Sequence, residues 1–135
     1  MTPADDLHDR LDDREGQLRL ALAVAQLGVW EVDLADQTVR WDQGCGELYR
    51  LAPEEYPTTF EAYFPLVYAD DRERLREAFY QAISGKSPFE AEFRVVRKDG
   101  SIRWHTTLGQ VIADESGEPI RVVGVVQDVT VRRTA

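Results

Sequence analysis

A chain of 135 residues, 43% apolar and 30% charged, fits one domain at roughly 100–200 residues each, with the composition of a packed globule rather than a disordered polymer. Its 25 acidic against 16 basic residues leave a net charge of −9, which repels phosphates and anionic lipids and sets aside nucleic acid and membrane as partners. One cysteine and two distant histidines exclude an intrachain disulfide and a Cys/His zinc cluster, so no metal site is expected; no apolar run approaches the ~20 residues that cross a bilayer, and a signal peptide's basic and apolar regions are missing, which points to the cytoplasm.

Residues 5–26 contain no proline and one glycine, and Leu7, Leu11, Leu18, Leu22 and Ala25 gather on one helical face. This predicts an amphipathic helix over 1–26. Its first half is densely charged, so the apolar stripe is thin and needs a partner surface. A homodimer is expected, with those five residues packed against the mate's helix or the outer face of the partner's sheet.

Gly28 is expected to end the helix. Val29 to Leu34 alternates with period two, Ala35-Asp36-Gln37 turns, and Thr38 to Trp41 returns, which predicts a hairpin. Asp42 can cap a helix running to about Leu51. Thr58 and Glu61 have capping-box spacing, repeated by Asp70 and Glu73 ahead of a helix with Leu75, Ala78, Phe79, Ala82 and Ile83 on one face and Gly85 at its end. Phe89, Ala91, Phe93 and Val95 then alternate with charged residues. Asp99-Gly100 suits a two-residue hairpin turn, and Ile102, Trp104, Thr106 and Leu108 continue on the return strand. After a loop over 114–119, the run Val122 to Val126 suits a central strand buried on both faces. A curved sheet facing short helices can enclose a cavity. Its candidate lining is Trp30, Val32, Trp41, Leu48, Phe64, Phe79, Phe93 and Trp104, although aromatic residues that only fill a core would give the same pattern.

Catalytic chemistry finds no footing. The carboxylate pairs Asp70/Asp71, Glu54/Glu55 and Glu90/Glu92 read as a cap, a turn and a solvated strand face. Cys45 has no nearby base, His105 reads as a sheet-face histidine, and Gly44-Cys-Gly46 lacks the third glycine and the crossover of a dinucleotide loop. The module is therefore expected not to be an enzyme.

Six stretches carry a resemblance: Gly28-Val-Trp-Glu-Val-Asp33 with Trp41, Tyr68-Ala-Asp-Asp-Arg72, Phe89-Glu-Ala-Glu-Phe-Arg94, Lys98-Asp-Gly-Ser-Ile-Arg-Trp104, and Gly124-Val-Val-Gln-Asp-Val-Thr130. In this order they resemble the Per-Arnt-Sim (PAS) sensor domains with their PAC segment. The resemblance implies an α+β fold, a five-stranded antiparallel sheet of order 2-1-5-4-3 flanked by short helices, with a PAS domain over 27–130 and residues 131–135 opening a linker. It implies a dimeric sensory module of a longer, two-component-type protein, relaying a signal through Asp128-Val129-Thr130 to a histidine kinase or a cyclic-dinucleotide enzyme; the alternative is a stand-alone small-molecule-binding protein. Asp128 can hold a cation, with Arg103 or Lys98 as candidates, and Thr130 can cap the outgoing helix. The departures concern cofactors. The chain lacks the photosensor Asn-Cys-Arg-Phe-Leu-like motif, and residues 70–85 hold no histidine, so thiol-adduct flavin and haem are both disfavoured. Non-covalent flavin, a metabolite or no ligand stay open.

Overall fold

The computed structural model describes the backbone of residues 3–134 and the side chains of residues 13–133. Helix α1 (Pro3–Val24) leads into β1 (Leu27–Asp33) and β2 (Val39–Trp41). Three short helical segments follow, α2 (Gln43–Tyr49), α3 (Phe60–Tyr63) and α4 (Arg72–Gly85), with one 3-10 turn between the first two and two between the last two. Strands β3 (Phe89–Val96), β4 (Ile102–Ala113) and β5 (Pro119–Asp128) complete the sheet, and α5 (Thr130–Thr134) leaves it. The strand order is β2-β1-β5-β4-β3 and every pairing is antiparallel. Among the described residues no helix is long and apolar enough to cross a membrane.

The sheet's inner face is built in rows. Trp41, Trp30, Gly124 and Gly109 lie side by side across β2, β1, β5 and β4 and meet Phe89 on β3. The Trp30 indole lies over the two glycines: a Cβ at Gly124 would come within 2.4 Å of its ring and one at Gly109 within 2.8 Å. The ring edge meets Phe89 at 5.9 Å, and its Nε1–H donates to Thr107 Oγ1 at 2.9 Å. Gly124→Ala should therefore cost about 2–3 kcal/mol through overpacking and lower the melting temperature by roughly 10 °C. Thermal unfolding followed by circular dichroism checks this; an unchanged midpoint would mean the indole has room to move.

Local chemistry departs from the sequence reading at several boundaries. Gly28 does not end α1; Gln26 takes the left-handed conformation (φ 55°), and Gly28 sits inside β1, where any Cβ would strike the Cys45 backbone of α2. Lys86 (φ 51°), not Gly85, turns the chain out of α4. Thr59, one residue later than Thr58, caps α3 by accepting from the Ala62 amide. The Asp99-Gly100 turn is a three-residue loop, closed by Arg97 N–H to Ser101 C=O with Gly100 at φ 86°, and Gly117 at φ 87° repeats it between β4 and β5. The outer face of β5 is half-buried rather than buried.

The largest correction concerns the parity of β4. Phe93 pairs with His105, so the odd residues of β4 face inward: His105 is fully buried and Thr107 nearly so, while Ile102 and Leu108 are about half exposed. Trp104 consequently lies on the outer face, away from the cavity.

Helix α1 stands off the domain. Leu18 is 61% exposed, and Leu20 and Val24 are more so. Leu22 is half-buried at a groove beside α2, and Ala25 is exposed beyond the helix end. Leu7 and Leu11 lie outside the residues whose side chains are described.

Candidate functional site

Between the sheet's inner face and helices α2 to α4 lies a cavity of about 60 Å³. Trp30, Val32, Trp41, Phe64, Phe79 and Phe93 line it as expected, joined by Tyr49, Tyr63, Cys45 and Thr107, which are not among the candidates the sequence offers for the lining. The wall is almost wholly apolar. Its polar groups are mutually satisfied, the Tyr49 and Tyr63 hydroxyls bonding each other at 2.6 Å and Thr107 Oγ1 donating to the Val125 carbonyl. Burial pushes both phenols up, so they stay neutral. Cys45 is buried with its thiol 3.3 Å from the Val29 carbonyl, and burial followed by the neighbouring Asp42 charge pushes its pKa far up. It is an unreactive thiol. Leu48 lies outside the cavity; its carbonyl accepts from Arg97 Nε at 3.2 Å on the groove side of α2. Tyr49, one residue on, takes the inward place.

A second set of groups gathers where β5 ends. Asp128 Oδ2 accepts from Arg103 Nε at 2.7 Å and lies 3.7 Å from Arg97 Nη2, while Oδ1 accepts the Thr130 amide at 2.9 Å. Burial works against the charge, yet the bonds from Arg103 and Thr130 outweigh it and hold the Asp128 carboxyl down at about 2. Arg97 supplies the second cation. Lys98 pairs with Glu55 instead. Thr130 Oγ1 accepts the Trp104 amide at 2.8 Å, and the Val129 amide donates back to the Trp104 carbonyl at 2.8 Å. The first turn of α5 is thus stitched to β4.

Beneath this junction sits His105, its Nε2 4.0 Å from Asp128 Oδ2 and neither ring nitrogen hydrogen-bonded. Its ring meets Tyr49 edge-on at 5.0 Å. The imidazole therefore touches a tyrosine of the cavity wall on one side and the junction carboxylate on the other. Asp70, expected to cap α4, lies inside a 3-10 turn (Ala69–Asp71) instead, and Asp71, the residue before the helix, makes no side-chain cap bond and grips Arg94 on β3. Among the described residues no cluster of three or more His, Cys, Asp or Glu side chains can hold a metal ion.

Comparison with known proteins fixes the family. The model of the PAS fold matches residues 38–126. The chain belongs to the PAS family. This PAS domain is 32% identical over 119 residues to the blue-light-activated histidine kinase of Brucella ovis, covering 88% of the chain and 23% of the kinase. It is 30% identical over 114 residues to the probable diguanylate cyclase DgcE of Escherichia coli, covering 84% of the chain and 10% of the cyclase. A sensory box histidine kinase/response regulator from Burkholderia thailandensis superposes with a TM-score of 0.74 at 25% identity, covering 87% of this chain and 88% of that one. The PAS domain thus spans less than a quarter of these two curated relatives.

Proposed function

We propose that this PAS domain is a sensory module in the cytoplasm that dimerises through α1, holds a small apolar ligand or none in its cavity, and relays a signal through Asp128-Val129-Thr130 to an attached effector. The observation that carries the reading is the position of Asp128, whose carboxylate joins β4, the β3–β4 loop and the first turn of α5. A ligand biases an output only through an element that differs between two states, and this tie is where sheet and outgoing helix meet. The likeness to a histidine kinase and to a probable diguanylate cyclase supports an effector of one of these two classes.

The cavity argues about its occupant by size. Sites that bury drug-sized ligands run from ~300 Å³ upward, whereas this one is about 60 Å³. An isoalloxazine or a haem does not fit without opening the wall. The one thiol is inert, and the cavity wall offers no imidazole as an iron ligand. The groups that would hold a small guest are the Trp30, Trp41 and Phe79 rings, with the tyrosine hydroxyl pair as the available polar contact.

Dimerisation is supported by the exposed leucines of α1, which a monomer would leave in water. Native mass spectrometry of the whole chain reports bound ligand and oligomeric state together. The expected result is a dimer that the Leu18→Glu/Leu22→Glu variant converts to a folded monomer. A wild-type monomer, or a variant that stays dimeric, removes α1 from the interface.

A further inference from the structure

We infer that Asp71, Arg94, Trp104 and Arg133 form a mechanical line coupling α4, a wall of the cavity, to α5 along the sheet's outer face. The line begins at the entry to α4. The Asp71 carboxylate accepts three bonds from Arg94: the backbone amide at 2.8 Å, Nε at 3.0 Å and Nη2 at 2.7 Å. Asp71 is buried and lies four and eight residues before Leu75 and Phe79, which line the cavity from α4. Arg94 therefore follows any movement of the start of that helix.

The guanidinium of Arg94 is held between two rings, 4.2 Å from the centroid of Tyr68 and 5.2 Å from that of Trp104. Arg133 of α5 covers the indole of Trp104 at 3.6 Å. Glu92 anchors this end, 3.1 Å from Arg133 and 3.5 Å from Arg132. Tyr68, Arg94, Trp104 and Arg133 thus alternate aromatic and cation along one line, with Asp71 bound to Arg94 and Glu92 to Arg133. A guanidinium can stack flat on an aromatic face as a lysine ammonium cannot, so a shift or tilt of one layer is felt by the next. The backbone of Trp104 also holds Val129 and Thr130. Displacing this indole therefore moves the α5 start through main chain and side chain together.

The line goes beyond the Asp128 relay and is independent of it: one lies on the outer face, the other at the end of the inner face. The test is amide hydrogen exchange by NMR on the whole chain, read at Arg133, whose amide bonds the Val129 carbonyl at 3.0 Å. Arg94→Lys keeps the charge but loses the stack, and should speed exchange at Arg133 about three- to tenfold, the factor one cation–π contact supports. Asp71→Asn, which touches nothing in α5, should speed it in the same direction. The Asp71→Asn effect should vanish in a Trp104→Leu background and persist in Trp104→Phe, which keeps an aromatic face. If Asp71→Asn speeds exchange only in α4 and leaves Arg133 at the wild-type rate, the line does not exist. Asp128→Asn in the same series separates the two ideas: an effect there with silence at Asp71 overturns the stack and spares the relay, and the reverse overturns the relay and spares the stack.

Discussion

Asp128→Ala should lower the stability of this PAS domain by about 3 kcal/mol at pH 7, well above the roughly 1 kcal/mol that loss of a helix cap costs. The smaller figure would hold if Asp128 only capped the outgoing helix. In the fold the carboxylate is 13% exposed and faces Arg97, which is 11% exposed, as well as Arg103. Removing it strands a cation with little access to water, in addition to freeing the Thr130 amide. Burial and the like charges of Arg50 and Arg103 push the Arg97 guanidinium below its ordinary pKa, the direction expected of a cation that Asp128 helps to compensate. Asp128→Asn, which keeps an acceptor for Thr130 but not the charge, should fall between wild type and alanine. Urea unfolding at pH 7 measures all three. Equal losses for Asp128→Ala and Thr130→Ala would reduce Asp128 to a cap.

The second large effect is a pH dependence centred on His105. Burial, partly offset by Asp128 and reinforced by Arg97 and Arg103, lowers its pKa from the ordinary 6.5 to about 4, so the imidazole is neutral in the folded protein at neutral pH. The unfolded chain takes up a proton near pH 6.5, which the folded chain refuses until about pH 4. Stability is therefore full above pH 6.5 and declines as pH falls from 6.5 to 4, by about 3 kcal/mol in total. The groups facing the ring are Asp128, Arg97, Arg103 and the Tyr49 phenol. Asp71 and Asp128 have lowered pKa values and lose their contributions only below pH 3.8, outside this window. His105→Phe should be as stable as wild type at pH 7, since it removes two unpartnered buried nitrogens, and should flatten the profile between pH 6.5 and 4. Both proteins keep His8, so parallel profiles would assign the decline to another group.

Much of the topology is legible in the residues, because period-two alternation and turn chemistry mark each strand of the sheet. Parity is where the sequence misleads. In β4 the alternating set Ile102, Trp104, Thr106 and Leu108 is more apolar than Arg103, His105, Thr107 and Gly109, yet the second set faces inward. The reason lies in partners outside the strand. The space over Gly109 is filled by Trp30 from β1, Thr107 is needed to accept the indole N–H, and Trp104 is covered by two arginines. The caps show the same limit. Asp70 has the right spacing from Glu73 to cap α4, but the helix starts one residue later, and Asp71 before it is taken by Arg94, 23 residues on, which offers three donors in place of the helix amides. Six of the eight pocket candidates reach the cavity because large aromatic residues on inward positions have nowhere else to go. Tyr49 is legible too, four residues after Cys45 on one helical face, although a seven-residue helix is too short for that spacing to stand out.

The cavity and the outgoing helix should respond as one unit. Xenon enters apolar cavities without hydrogen-bonding demands, and one atom suits a space of about 60 Å³. Amide NMR spectra of the whole chain recorded under increasing xenon pressure test this coupling directly. Shifts are expected at residues lining the cavity, such as Phe79 and Thr107, and at Asp128 through Arg133 with the same pressure dependence. Saturating shifts at the cavity residues with residues 128–133 unmoved would contradict the coupling.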